Sequence, residues 1–146
     1  MKIQQAFNLE RMTAVTVDPG QTVAELSRQL TRENKGLAVV CDPEVNVLGV
    51  ISVMDIVRAL GEHGGDVAAL SVGDVMNPKI TVCNGGDEVA DVLDIMNIRR
   101  IRHIPVVEEG KLKGLIDIRD LLKYRFDEAE LKAEEMHHYM FGTGYR

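Results

Sequence analysis

The sequence predicts an α+β fold in which two β-α-β-β-α repeats form a compact pseudo-symmetric pair. An internal repeat indicates it, because GVISVMDIVRAL at 49–60 aligns with GLIDIRDLLKYR at 114–125, glycine on glycine and Asp55 on Asp120. Composition agrees, since 146 residues with 45% hydrophobic and 27% charged residues suffice for one ordinary core. Two copies are too few for a solenoid, so we expect the copies to pack against each other.

Both copies follow the same order of elements. A short β-prone piece, 15–17 or 80–82, meets a turn-rich segment and then an amphipathic helix. Two β-branched strands joined by a turn indicate a hairpin, and a closing helix begins near Asp55 or Asp120. The residues with helical spacing are Val23, Leu26 and Leu30 in copy one and Val89, Val92, Leu93 and Met96 in copy two.

Charge and composition exclude several classes of function. The net charge of −6 argues against general binding to nucleic acid or anionic membranes, which requires a basic face. The N-terminus has no apolar signal region and no run reaches the ~18 residues of a spanning helix, so we expect a cytoplasmic protein. Cys41 and Cys83 lack the spacing of a metal site. The sequence shows neither a set of metal ligands nor a nucleophile–base pair, so we do not expect an enzyme.

The stretch GVISVMDIV at 49–57 places a hydroxyl and a carboxylate where a strand runs into a helix. Ser52 and Asp55 have the spacing of a capping box, which is a purely structural role. Such a junction also presents free backbone N–H groups, a hydroxyl and a carboxylate to one small volume, as an anion-binding site does. The residues alone leave both interpretations open.

Several motifs resemble tandem CBS domains, the Bateman module. They are the paired repeats, DVMNP at 74–78, RHIPVV at 102–107 and the glycine–apolar–x–Ser–x–x–Asp junction. The resemblance covers roughly residues 10–126 and implies two CBS domains packed through their sheets about a pseudo-twofold axis, with two clefts between them. We therefore expect CBS domains at 8–62 and 72–126, a connector at 63–71 and a helical extension at 127–146.

The resemblance implies a non-catalytic sensor that binds an adenine nucleotide (AMP, ADP, ATP or NAD, with AMP or NAD favoured) and acts on an unknown effector protein. In the family the junction carboxylate holds the ribose hydroxyls and the Ser or Thr contacts phosphate, which assigns these roles to Asp55 and Ser52. The residues implied to complete this cleft are Arg102, His103 and Arg119 near the phosphate and Ile80, Thr81 and Pro105 around the adenine. Solvated surface charge remains the alternative for the two arginines.

Copy two departs from this pattern at Asp117, where Ser or Thr is expected. A second carboxylate beside Asp120 would repel a phosphate, so we expect this second cleft to be the weaker one: it is empty, holds a nucleoside-like group, or has a cation between the carboxylates and the ligand. Asp117 also favours the alternative function, a structural or protein-interaction module without a physiological ligand. The residues assigned to this weaker cleft are Val15, Thr16, Ala38 and Asp120.

The closing helix of copy two continues as an apolar seam with alternating steps of four and three, typical of a and d positions. A small monomer has little core left to cover such a seam, so we expect it to pack against a partner, and the resemblance to CBS modules, which commonly pair through their helices, implies a homodimer. A helix folded back on its own domain is the alternative. The seam consists of Leu122, Phe126, Ala129, Ala133, Met136 and Met140.

Overall fold

The computed structural model describes residues 1–141, and within them it contains two three-stranded sheets. In each sheet the first two strands are parallel and the last two antiparallel. The α+β prediction with two equivalent repeats is confirmed. The strands of the first sheet are, in spatial order, β1 (Val15–Val17), β2 (Leu37–Cys41) and β3 (Val47–Ser52). Those of the second are β4 (Cys83–Asn84), β5 (His103–Glu108) and β6 (Lys111–Asp117).

The helices occupy equivalent places in the two repeats. A crossover helix joins the parallel strands of each sheet, as a parallel pair requires, and a closing helix follows each hairpin without an intervening residue. None of the helices in the described part of the chain combines the length and the apolar run needed to cross a membrane. The helices are α1 (Ile3–Ala6), α2 (Val23–Glu33), α3 (Val53–His63), α4 (Val72–Val75), α5 (Val89–Arg99) and α6 (Ile118–Phe141), with 3₁₀ turns at Leu9–Arg11 and Gly64–Ala69.

The first strand of the second repeat starts later than the sequence predicts. The β-prone piece at 80–82 is irregular, and the strand is Cys83–Asn84 instead. The cause lies just upstream, where Asn77 pairs with Val50 of the other repeat through hydrogen bonds of 2.8 and 3.1 Å. The segment before β4 is therefore paired with the first sheet, and pairing with β5 begins only at Cys83.

Each sheet has its own apolar core. The helical positions predicted to face inward are buried, including Leu26 in the first repeat and Met96 in the second, except Leu93, which is half-buried. Ile3, which the sequence did not single out, is fully buried in the second core. The N-terminal segment therefore packs on the second repeat before the chain enters the first.

Equivalent backbone hydrogen bonds join each repeat to the other. Met12, just before β1, accepts a hydrogen bond of 2.8 Å from the backbone of Leu115 in β6, as Asn77, before β4, does from Val50 in β3. The hairpin turns also meet, since the backbone N–H of Val47 donates to Gly110 at 3.1 Å. These contacts join the two sheets, and Met12 and Leu115 also line a cavity between the repeats.

The C-terminal extension predicted at 127–146 is, up to Phe141, a direct continuation of α6. Residues 142–146 of that prediction lie outside the described residues. From position 125 to 140 every residue of α6 is exposed, so this part of the helix packs on neither repeat.

Candidate functional site

A cavity of about 750 Å³ lies between the repeats at the β6–α6 junction. Its volume falls in the range of small-molecule sites. Both repeats line it: Val15, Lys35 and Leu37 come from the first, and His103, Asp117 and Asp120 from the second. Two residues assigned to the weaker cleft, Val15 and Asp120, thus come together here, whereas Ala38 is fully buried in the first core and Thr16 does not line the cavity.

The Asp117 carboxylate has four contacts at this junction. The guanidinium of Arg119 donates to Oδ2 of Asp117 from Nε at 3.2 Å and from Nη2 at 2.8 Å, and the Arg119 backbone N–H donates to Oδ1 at 2.9 Å. Nε2 of His103 lies 3.3 Å from the same Oδ2. The negative charge of Asp117 is therefore matched by Arg119, and the phosphate repulsion predicted from the sequence is offset.

The pKa values of this cluster follow from its contacts. Burial alone would raise the pKa of Asp117, but the hydrogen bonds from Arg119 and the proximity of His103 outweigh it, and its pKa lies below the usual range. Burial lowers the pKa of His103, with Arg102 and Arg119 adding to the effect and Asp117 opposing it. Asp117 is therefore ionised and His103 neutral at pH 7.

His103 and Arg119 lie at the junction of the second repeat, and their binding of a ligand stays a prediction. The sequence assigned both to the Ser52–Asp55 cleft, but their side chains contact Asp117 and line the cavity at Asp120. The reason is the hairpin register, in which His103 is paired directly with Asp117 across β5 and β6. Sheet pairing thus brings His103 to its own junction rather than to that of the other repeat.

The Ser52–Asp55 junction forms the capping box that its spacing predicts. Ser52 Oγ accepts from the backbone N–H of Asp55 at 3.2 Å, and Asp55 Oδ2 accepts from that of Ser52 at 2.8 Å. The other carboxylate oxygen of Asp55 accepts from Nη1 of Arg58 at 3.1 Å. Neither Ser52 nor Asp55 lines the cavity at Asp120, and their binding of a ligand stays a prediction.

The remaining residues predicted for the Ser52–Asp55 cleft have different surroundings, and their role stays a prediction. Thr81 Oγ1 accepts from Nη1 of Arg99 at 2.9 Å, next to the half-buried Ile80. Pro105 is buried in β5, opposite Leu115. Arg102 is exposed just before that strand, and its carbonyl caps α6 by accepting from Ile118 at 2.7 Å.

Three basic residues that line the cavity were not predicted from the sequence: Arg11, Lys35 and Lys123. Lys123 could have been found, because it lies three residues after Asp120, within one helical turn. Arg11 and Lys35 lie outside the repeat motifs and reach the cavity only through the packing of the repeats. Among the described residues there is no cluster of three or more side chains fit to hold a metal ion.

Comparison with known proteins places the chain in a family. The model of the CBS domain matches it twice, at 9–62 and 72–127. The chain therefore belongs to the CBS domain family, and the resemblance found in its motifs is confirmed. It is a small CBS pair.

Individual relatives agree. An uncharacterised 17.7 kDa protein of Acidianus ambivalens is 33% identical over 129 residues, 88% of this chain and 77% of that protein. The crystal structure of a CBS-domain containing protein from Agrobacterium tumefaciens is 31% identical, with a TM-score of 0.74 over 86% of this chain and 99% of that one. The arabinose 5-phosphate isomerase of Salmonella typhi is 29% identical over 107 residues, which are 73% of this chain but only 32% of the isomerase, so the chain spans about a third of that relative's length.

A more distant solved structure contains an adenosine ligand. CBSX2, in complex with AMP, is 20% identical, with a TM-score of 0.73 over 88% of this chain and 98% of that one. At this identity the likeness concerns the fold alone.

Proposed function

We propose that the chain is a non-catalytic regulatory module that binds an adenosine ligand in the cavity at Asp120 and transmits the bound state to an effector protein. The AMP complex of CBSX2, which shares the fold, supports this class of ligand. Asp120 takes the place of the ribose-binding carboxylate. The apolar side chains of Val15, Leu37 and Leu115 give the cavity walls suited to a base.

One observation favours this cavity over the Ser52–Asp55 cleft. Asp55 is already engaged at both oxygens, by a 2.8 Å bond from Ser52 and a 3.1 Å bond from Arg58. Asp120 receives only a long bond of 3.3 Å from the backbone of Asp117, and within residues 1–141 it has no ion-pair partner. Its carboxylate therefore keeps the capacity to accept from the 2′- and 3′-hydroxyls of a ribose.

Calorimetry with AMP and two matched variants tests the proposal. Asp120→Ala should weaken AMP binding about ten- to a hundredfold, since a hydrogen bond to a charged group contributes about 1.5–3 kcal/mol. Asp55→Ala, the equivalent change in the other repeat, should bind AMP as the unaltered protein does. It should lose only the roughly 1 kcal/mol of stability that its cap provides.

The opposite result would reverse the assignment. If Asp55→Ala abolishes AMP binding and Asp120→Ala does not, the Ser52–Asp55 cleft is the nucleotide site, as the sequence predicts. If the unaltered protein binds neither AMP nor adenosine, the alternative holds, and the chain is a structural or protein-interaction module. The Asp55 carboxylate, which already accepts hydrogen bonds at both oxygens, is the observation that favours that second function.

We further propose that the module works as a homodimer. The support is the exposed apolar seam of α6, in which Phe126 is 62% and Met140 68% exposed. A helix segment without tertiary packing is only marginally stable in water. A second copy of the chain provides an apolar surface of the same kind, which would cover the seam.

A further inference from the structure

The cavity at Asp120 concentrates positive charge in an acidic protein. Four of the chain's 17 Lys and Arg residues line it, but only two of its 23 Asp and Glu residues. The lining thus has a formal charge of +2, although the whole chain has a charge of −6. Such a local reversal of sign attracts anions into a cleft.

Three of the four cations are not neutralised by the protein. Arg119 is paired with Asp117, with Nη2 at 2.8 Å from the carboxylate. The side chains of Arg11, Lys35 and Lys123 have no hydrogen bond or ion pair to any group within residues 1–141. They are exposed at the cavity rim, and their charge is available to a ligand.

These free cations reach the cavity from separate parts of the fold. Arg11 ends the 3₁₀ turn before β1, Lys35 lies in the turn between α2 and β2, and Lys123 follows Asp120 on α6. They are therefore brought together by the packing of the two repeats, not by a basic run in the sequence. Charges placed around one opening can contact successive phosphates of an extended ligand.

We propose that this cavity selects adenosine ligands with two or three phosphates over AMP, adenosine and S-adenosylmethionine. The inference rests on the proposed function of the same cavity. A single phosphate cannot use three free cations, whereas a di- or triphosphate brings three to four negative charges. The positive sulfonium of S-adenosylmethionine would instead be repelled by the same groups.

Calorimetric titration of the full chain, without divalent metal, tests the inference. Affinity should rise from adenosine through AMP and ADP to ATP, with at least about tenfold between AMP and ATP, because charge-assisted contacts are the stronger kind. Raising the salt from 50 to 200 mM should weaken ATP more than AMP, since exposed charges are screened. S-adenosylmethionine should bind more weakly than AMP.

Variants identify the groups responsible. The double change Lys35→Gln with Lys123→Gln should lower ATP affinity about tenfold and leave adenosine unchanged, because glutamine keeps a polar side chain, shorter by one atom, but removes the charge. Lys132→Gln on the exposed part of α6 is the matched control and should alter neither. Thermal unfolding of each variant should remain at the midpoint of the unaltered protein, which separates loss of binding from loss of fold.

The possible failures are distinguishable. If AMP binds as tightly as ATP, or S-adenosylmethionine binds more tightly than AMP, the selection for polyphosphates is refuted and the adenosine-binding function stands. If ATP binds tightly but the double variant is unaffected, the lysines are not the selective groups and the inference is likewise overturned. If neither adenosine nor any nucleotide binds, the proposed function itself fails.

Discussion

Replacing Gly49 with alanine should lower the stability of the protein by disturbing the packing between the two repeats, not the core of either repeat. Gly49 lies in β3, where the segment before β4 crosses it. A Cβ at this position would stand 2.7 Å from the carbonyl oxygen of Asn77 and 2.9 Å from the sulfur of Met76. The methionine side chain can move away, but the carbonyl belongs to the backbone that joins the repeats.

The magnitude follows from what must shift. Asn77 is tied to Val50 by hydrogen bonds of 2.8 and 3.1 Å, so the backbone can retreat only by weakening them. Overpacking costs about 1–3 kcal/mol, and each weakened hydrogen bond up to about 1 kcal/mol. The lower entropy of the unfolded chain returns about 0.4–1 kcal/mol. We expect Gly49→Ala to lower the free energy of unfolding by about 2–3 kcal/mol.

Two other glycines provide the comparison. Gly114 is the equivalent position in β6, where a Cβ would stand at 3.1 Å from the carbonyl oxygen of Leu9, so Gly114→Ala should be milder, at about 1 kcal/mol or less. Gly61 lies inside α3 with nothing within 4 Å, and its change to alanine should stabilise the protein by about 0.5–1 kcal/mol.

Urea unfolding followed by circular dichroism measures the midpoint and slope for all three variants. If Gly49→Ala is as stable as Gly61→Ala, the close approach of Asn77 does not constrain β3 and the reasoning is refuted.

Two further predictions concern pH and assembly. Burial holds the pKa of His103 below about 6.5, the usual value for histidine, so the unfolded chain binds the proton more readily. Stability due to this group is complete above that pH and should fall as the pH is lowered through it; thermal melts from pH 7.5 to 5 should show a flatter decline for His103→Gln. Deleting residues 128–146 removes most of the exposed seam, whose buried Met side chains would each contribute about 1.5–3 kcal/mol, so sedimentation should show a dimer become a monomer. A dimer of unchanged mass after the deletion would mean that other surfaces join the protomers.

The sequence predicts the repeat architecture well because its signals are local. The helical spacing of Leu26 and Met96 and the β-branched hairpins depend on one element at a time. The strand expected at 80–82 is wrong for the opposite reason. Its position is set by the pairing of Asn77 with Val50, a contact between repeats that no local pattern contains.

The grouping of the predicted residues could not be read from the sequence. Asp120, His103 and Arg119 were named as ligand-binding residues, and all three line one cavity, where their binding of a ligand stays a prediction. The sequence divided them between two clefts because the family pattern places partners across the pair. The register of the β5–β6 hairpin, which sets His103 opposite Asp117, was the available signal that would have grouped them.

The difference between the two junctions comes from the positions of their basic residues. In the aligned segments Arg58 corresponds to Lys123, three residues after each carboxylate, while Arg119 replaces the apolar Met54. Arg58 reaches Asp55 at 3.1 Å, as an arginine fork can, whereas Lys123, a more strongly hydrated point charge, forms no ion pair with Asp120 within the described chain.

The effect of Asp117 on the charge of its junction therefore depends on Arg119. A serine in its place would be neutral, and the Asp117–Arg119 pair is also neutral in sum, with the guanidinium held at 2.8 Å. The substitution that looked disabling thus leaves the charge of the junction unchanged. Arg119 is engaged with Asp117, and Lys123, three residues after Asp120, forms no ion pair with Asp120 within the described chain. Asp120 is therefore the carboxylate that stays free to accept hydrogen bonds from a ligand.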